Sequence, residues 1–282
     1  MKIQYLGTGA AEGVPALFCN CTYCRGLRAR LAAGERTREL RTRMQVLLDG
    51  ELSVDFPPDA YAHMAGGVDF SAIRYLLVTH SHMDHFYAHD FILRGYKYAQ
   101  EMAADVLTIY GNREVCDVFR ECTRREMKES VKANVRTMPV GAFEEIAFDD
   151  WRAYSMPAQH SSKDPLLYFI ERQGKRYLHL CDTGRIPDDS MDFLKALKKR
   201  ADVVSCDCTF LWDDADCGAR HMNLKEADYT RERLRRAGVV DGDTKFVITH
   251  FSHNSAPTEE AVSRAEREYG FLAAYDGMTL EV

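Results

Sequence analysis

The densest chemistry in this chain lies in six consecutive residues, His80-Ser81-His82-Met83-Asp84-His85. They follow an apolar run, residues 73–78, that reads as a buried strand. In extended backbone, residues i and i+2 point the same way, so His80 and His82 can hold one ion. A turn then presents Asp84 and His85 towards a second. Imidazole with carboxylate suits zinc, manganese or iron better than magnesium or calcium. The plain alternative is a polar loop of satisfied histidines. Ten histidines in 282 residues rarely fall into H-x-H-x-D-H by chance, which makes the motif specific. A dinuclear site needs more ligands, and strand ends are where they should stand. Three such positions follow downstream: His160 after residues 152–158, Asp182 after 176–181, and His250 after 245–249. Each alone has a dull reading, as a surface histidine or a turn aspartate before Thr-Gly. Their order after the motif favours metal.

The cysteines carry a second signal. There are nine, an odd number, in a chain expected to be cytoplasmic, where disulfides are disfavoured and clustered thiols lean towards metal. Cys19, Cys21 and Cys24 form such a cluster. Cys116, Cys122, Cys181, Cys206, Cys208 and Cys217 are scattered and read as small hydrophobes.

The elements that must position these groups follow from periodicity and turn chemistry. Residues 44–48 and 51–55 flank Asp49-Gly50, a type I′ hairpin pattern. Residues 72–79 read as a strand, 86–102 show helical spacing, 106–110 a strand and 112–128 a helix. A second hairpin spans 166–171 and 176–181 across Gln173-Gly174. Helices are expected over 187–199, with Pro187 in the first turn, and from a capping box at Asn223 to about 236. Strands are expected over 203–208 and 245–249, and a helix over 257–269. Hairpins followed by mixed strands and helices imply stacked sheets flanked by helices, an α/β layered architecture. No linker divides residues 1–282, so they read as one domain.

Composition narrows the function classes. Apolar residues make up 46% and charged residues 28%, as in globular chains. Lys+Arg 37 against Asp+Glu 43 leaves a net charge of −6, and no basic field for a long nucleic acid. No apolar run approaches the roughly 18 residues of a membrane span, and residues 1–7 lack the core of a signal peptide.

The set His80, His82, Asp84, His85, His160, Asp182 and His250 resembles the metallo-β-lactamase superfamily of metal-dependent hydrolases. The resemblance covers nearly the whole chain and implies an αββα four-layer sandwich. It implies that His80, His82 and His160 hold one metal, that Asp84, His85 and His250 hold the other, and that Asp182 bridges them. Asp55 matches an acidic position that orients the metal loop. The start Gly7-Thr8-Gly9-Ala10-Ala11-Glu12-Gly13-Val14-Pro15, followed by Cys19-Asn20-Cys21-Thr22-Tyr23-Cys24, resembles the phosphoribosyl cyclic phosphate phosphodiesterases (PhnP type). That resemblance implies a structural zinc on Cys19, Cys21, Cys24 and His253, a closed tetrahedral set. Such a site would pin the N-terminal loop to the strand end carrying His250. It also implies that His221 is aimed at the substrate phosphate, where a protonated imidazole can stabilise the phosphate and give a proton to the leaving oxygen.

The expected cofactors are thus two divalent ions, zinc or manganese, which activate a bridging water, and one structural zinc. The expected partner is a small phosphodiester, cyclic or open. Long nucleic acid and membrane are not expected, and a homodimer is allowed. Residues 86–139 depart from the family pattern and could form a lid or a substrate wall. Rival readings are a hydrolase of another ester or thioester, a tRNA 3′-processing enzyme, an exported β-lactamase, and a non-hydrolytic accessory protein of pyrroloquinoline quinone biosynthesis.

Overall fold

The computed structural model describes residues 1–214 and 218–282. Cys217 lies outside the described residues. Six strands build the first sheet in chain order: β1 (Lys2–Gly7), β2 (Gln45–Leu48), β3 (Leu52–Val54), β4 (Tyr75–Leu77), β5 (Leu107–Gly111) and β6 (Val135–Pro139). The next seven build the second sheet: β7 (Glu145–Phe148), β8 (Trp151–Pro157), β9 (Leu166–Arg172), β10 (Lys175–Leu180), β11 (Val203–Asp207), β12 (Lys245–Thr249) and β13 (Leu272–Ala273). A last strand, β14 (Met278–Glu281), returns to the first sheet beside β1.

Side chains alternate across each strand, and this alternation sorts the apolar residues into layers. Val46, Leu48, Tyr75 and Leu77 face Tyr168, Ile170 and Tyr177 in a core between the sheets. Leu47 and Leu76 point outward, to a layer with Val115 and Phe119 of α3 (Arg113–Thr123). Leu167, Phe169 and Val204 point outward from the second sheet. There they meet Leu194 of α5 (Asp188–Leu197), Leu234 of α6 (Leu224–Arg236) and Ala265 of α7 (Glu259–Tyr269). The order is helix, sheet, sheet, helix: the four-layer αββα sandwich.

Strand direction decides where the chemistry gathers. In the first sheet β3, β4, β5 and β6 are mutually parallel. In the second, β10, β11 and β12 are parallel, and β8 runs the same way, two antiparallel steps from β10. Parallel neighbours end at one edge, so the residues just past them meet there.

The hairpin at Asp49-Gly50 has the positive φ angles its sequence predicts, 48° and 77°. Asn223 caps α6 by accepting from the Glu226 N–H, but the box is half made, because the Glu226 carboxylate binds Arg185 instead. Pro187 is the residue before α5, not part of its first turn. The helix from 112 ends at Thr123, and a short α4 (Glu129–Lys132) follows. The strand over 72–79 shrinks to β4, because Asp69 caps a 3-10 turn at Phe70–Ala72.

Residues 86–102 are not an α-helix. Only Ala88–Leu93 forms a 3-10 turn. Gly95, Tyr96 and Glu101 take positive φ, which stops helix propagation. The Arg94 guanidinium donates instead to the carbonyls of Ile73 and Ala104. The helical spacing arose because Phe86 and Phe91 both pack on the outer face of the first sheet. Conversely, α1 (Thr22–Ala32) had no sequence signal: its N-cap is Cys21, whose sulfur accepts from the Cys24 N–H.

Candidate metal centre

Every strand-end residue singled out above reaches the shared edge. The ligand atoms of His80, His82, His160 and Asp182 lie within 4.8 Å of one another, as do those of Asp84, His85, Asp182 and His250. Asp182 belongs to both sets: Oδ2 stands 3.1 Å from His80 Nε2 and 3.2 Å from His85 Nε2. His160 Nδ1 is 3.3 Å from Asp182 Oδ1, and its Nε2 is 3.3 Å from His82 Nδ1. His85 Nε2 is 3.3 Å from Asp84 Oδ2.

The backbone is bent to make this convergence. Asp55, Asp182 and His250 follow their strands with φ of 62°, 56° and 64°. Left-handed backbone at a non-glycine residue costs on the order of 1–3 kcal/mol where it is strained, and such residues persist where the surroundings over-determine them. All three are buried.

Two carboxylates behind the cluster set the tautomers. Asp55 accepts from the Thr79 N–H at 2.8 Å and from the Thr79 hydroxyl at 3.0 Å. It also accepts from His85 Nδ1 at 2.7 Å. Because the Thr79 hydroxyl donates to Asp55, it accepts from His80 Nδ1 at 3.0 Å. Asp207 repeats the device: the Thr209 N–H and hydroxyl both donate to its Oδ1 at 3.0 Å. The Thr209 hydroxyl then accepts from His250 Nδ1 at 2.8 Å. With each Nδ1 proton so engaged, the Nε2 lone pairs of His80, His85 and His250 point inward. The role expected of Asp55 agrees with this geometry. Asp207 was missed in the sequence, where Cys206 and Cys208 on either side drew the attention. The strand-end argument that found Asp182 applies equally to Asp207, which ends β11.

These groups fit a divalent metal pair. His85 Nε2, His250 Nε2 and Asp182 Oδ1 are buried without a hydrogen-bond partner, an arrangement that costs stability unless a cation satisfies them. Burial pushes the His80 imidazole down, and His160 down to about 4, so both are neutral bases at pH 7. Burial by itself would raise Asp182, but His250, His80 and His85 outweigh it and hold the carboxyl well below its ordinary range. Asp84 is likewise lowered, against burial, by His85. These four groups are in the form that ligates; His85 differs, because burial lowers it but the Asp84 and Asp55 carboxylates outweigh that and raise it well above its ordinary value, so a metal at its Nε2 must displace a proton.

His221 adjoins the pair. Its Nδ1 is 3.1 Å from both Asp182 Oδ1 and Asp207 Oδ2. Burial lowers it, yet the Asp207 and Asp182 carboxylates prevail and raise it to about 9. These carboxylates favour the protonated ring. Its side chain keeps 22% exposure while His85 has none, so it stands at the edge of the cluster. A cleft of about 310 Å³ opens over the site. Glu12, Phe210, Arg220, His221 and Asn254 help to line it. None of its lining residues comes from 86–139. That stretch supplies β5 and β6 of the first sheet and packs its apolar side chains on the same sheet; it meets the metal loop where the Phe86 N–H donates to the His82 carbonyl and where the Glu114 carboxylate accepts from the Ser81 hydroxyl.

The cysteine cluster assembles as the resemblance implies. The ligand atoms of Cys19, Cys21, Cys24 and His253 lie within 4.8 Å of one another. Cys24 Sγ is 3.4 Å from His253 Nδ1. The N–H groups of Cys21, Cys24 and Ala16 donate to Cys19, Cys21 and Cys24 sulfurs at 3.4 Å each. The Cys24 N–H, aided by His253, lowers Cys21 to about 6, which makes it a thiolate. The N-terminal loop is pinned as expected: the Ala10 N–H donates to the Phe251 carbonyl, and the Phe251 N–H to the Thr8 carbonyl. Of the scattered cysteines, Cys181, Cys206 and Cys208 are buried, whereas Cys116 and Cys122 are only partly so.

Comparison with known proteins agrees with this architecture. The beta-lactamase superfamily domain matches residues 46–251, and the chain belongs to that superfamily, whose fold binds divalent metals and includes metal-dependent hydrolases. The chain is 25% identical over 312 residues to coenzyme PQQ synthesis protein B of Methylorubrum extorquens (strain PA1), covering 100% of both. A diphosphatase of the PhnP family superposes with a TM-score of 0.72 at 21% identity, over 100% of this chain and 97% of that one. Zn(2+)-bound PqqB from Methylobacterium extorquens superposes with 0.67 at 20% identity, over 100% of both. Among the described residues, no helix is long and apolar enough to cross a membrane.

Proposed function

We propose that this protein is a metal-dependent phosphodiesterase acting on a small phosphodiester, with residues 1–282 as one hydrolase domain. The observation that carries the reading is His221, whose Nδ1 stands 3.1 Å from both Asp207 and Asp182 at the edge of the histidine cluster, a setting that favours the charged ring. A carrier has no use for a proton donor there; cleavage of an ester with a basic leaving oxygen does.

His80, His82 and His160 would hold one ion, Asp84, His85 and His250 the other, with Asp182 between them. When bound, zinc or manganese lowers the pKa of a water and polarises a phosphoryl oxygen. This chain's residues do the rest. Asp55 and Asp207 keep the imidazoles in one tautomer and orientation. The 310 Å³ cleft has room for a small ester. His221 gives its proton to the departing oxygen. Its Nδ1 faces carboxylates, which leaves Nε2 for that transfer. Cys19, Cys21, Cys24 and His253 would hold a third ion, a zinc with no open position.

Full-length similarity to a PQQ synthesis protein favours a second reading, a non-hydrolytic or differently acting accessory protein. Turnover of bis(p-nitrophenyl) phosphate by protein loaded with zinc or manganese separates the two, together with metal analysis before and after mild chelation. The phosphodiesterase reading expects turnover, up to three ions per chain, and one zinc that resists chelation. Metal loading without hydrolysis of this ester or of any cyclic phosphate would favour the accessory role.

A further inference from the structure

Glu12 stands between the cleft over the histidine cluster and the cysteine set. It lines the cleft with His82, Asp84, His221 and His250. Its Oε1 accepts from the Ser252 hydroxyl at 2.5 Å and lies 3.8 Å from His253 Nε2. The other nitrogen of that ring faces Cys24 Sγ at 3.4 Å. The imidazole that completes the cysteine set thus lies beside a carboxylate that the Ser252 hydroxyl anchors in the cleft. The backbone beneath is fixed as well. The Gly13 N–H donates to the Ala10 carbonyl at 2.9 Å, the Leu17 N–H to the Glu12 carbonyl at 3.3 Å, and Arg43 Nε to the Ala11 carbonyl at 3.0 Å. Gly13 takes φ of 70°, which a side-chain-bearing residue adopts only with strain. Oε2 has no hydrogen-bond or ion-pair partner among the described residues, and the side chain is 31% exposed.

A fixed carboxylate beside a cationic centre does two things. It accepts a hydrogen bond from a neutral donor, and it repels negative charge in excess of what the centre needs. A phosphodiester carries one negative charge; a monoester or a diphosphate carries more. We infer that Glu12 is a specificity-determining residue: it favours a singly charged phosphodiester bearing a hydrogen-bond donor over a more highly charged phosphate. The Ser252 hydroxyl, on the residue before His253, aims that carboxylate, which ties the cleft to the segment that completes the cysteine set. The inference rests on the phosphodiesterase reading of the cleft.

Glu12→Gln tests it, since glutamine keeps the shape and the acceptor for Ser252 but removes the charge. Kinetics would compare p-nitrophenyl phosphate with bis(p-nitrophenyl) phosphate in metal-loaded protein. Glu12→Gln should raise the kcat/KM ratio of monoester to diester by about tenfold, mainly through KM. Calorimetry should show inorganic pyrophosphate binding about tenfold tighter and dimethyl phosphate unchanged. Ser252→Ala, which frees the carboxylate from its anchor, should move both readouts the same way by less. Equal scaling of all substrates and both anions, or no change in any, would overturn the role of Glu12. If the wild-type protein hydrolyses neither bis(p-nitrophenyl) phosphate nor any cyclic phosphate, the phosphodiesterase reading falls, and the pyrophosphate against dimethyl phosphate comparison still decides the charge discrimination. Should Glu12→Gln fail to fold, Ser252→Ala decides it.

Discussion

The two sheets meet the metal centre with the same device, put to different ends. On the first sheet, Asp55, Thr79 and His85 form a carboxylate, hydroxyl and imidazole set that is sealed from solvent. On the second, Asp207, Thr209 and His250 repeat it, but Asp207 also faces His221, which is partly exposed in the cleft. Behind Asp55 lies more scaffolding. His63 pairs with Gln45 at 2.7 Å, and the Gln45 amide donates to the Asp55 carbonyl and the Ser53 hydroxyl. Behind Asp207, the Met222 N–H, one residue from His221, donates to Oδ1. The first sheet therefore holds its imidazoles still. The second both holds one and charges another. The comparison teaches that a carboxylate behind a ligand can serve rigidity or proton supply, according to what stands on its open side.

The largest break should come from the residue the two halves share. Asp182→Ala removes the carboxylate common to both ligand sets, and should lower kcat by about a thousandfold or more. The far-UV circular dichroism should stay native, because the sandwich cores do not involve Asp182. Near-normal turnover would end the dinuclear assignment.

His221→Ala tests the proton-supplying side. General acid catalysis is typically worth about 10²–10⁴-fold. That loss should appear with an alkoxide leaving group and shrink greatly with p-nitrophenolate, which departs unaided, with both ions still bound. An equal loss on both esters would mean that His221 binds phosphate without donating a proton.

The two supporting carboxylates should then differ. Asp55→Ala should weaken metal binding by about 10–100-fold, with little left to restore except metal. Asp207→Ala should weaken it comparably, but excess metal should not restore cleavage of an ester with a basic leaving group, because His221 also loses its partner. Titrating activity against metal concentration for both variants checks this; identical rescue would erase the distinction.

The smallest effect concerns the scaffolding of the first half and its pH dependence. Burial lowers His63 to about 4, against about 6.5 in an unfolded chain. The folded state thus binds this proton less tightly. The stabilisation is complete above about pH 6.5 and is lost as pH falls towards 4, by up to about 3 kcal/mol. Urea midpoints between pH 7 and pH 4.5 should fall more steeply in the wild-type protein than in His63→Gln. Parallel slopes would mean that His63 is not held neutral.

How far each half could be read in advance differs for a physical reason. His80, His82, Asp84 and His85 are legible because their ligating geometry is nearly local. The strand before them and the turn within them follow from residues a few positions away. Asp182 and His250 are legible as polar residues closing apolar strands, and the left-handed backbone that turns them inward shows only in three dimensions. Asp207 stayed hidden because it looks like the end of a strand between two buried cysteines; its partners, His221 and His250, lie 14 and 43 positions away. The stretch 86–102 misled because two aromatics on one face fit a helix and a strapped loop equally well, and Gly95 with the Arg94 contacts chose the loop.

The amino-acid sequence by itself determined the candidate ligand types, their grouping into a histidine and a cysteine set, and the alternation that makes two sheets with helices outside. These depend on residue type and short-range period, which chain geometry translates directly. Tertiary structure alone decided which nitrogen of each histidine points inward, which carboxylate holds it there, and that Glu12 enters the cleft. Those choices rest on hydrogen bonds between residues far apart in the chain. The parallel strand ends bring them to one edge, and no local spacing encodes that meeting.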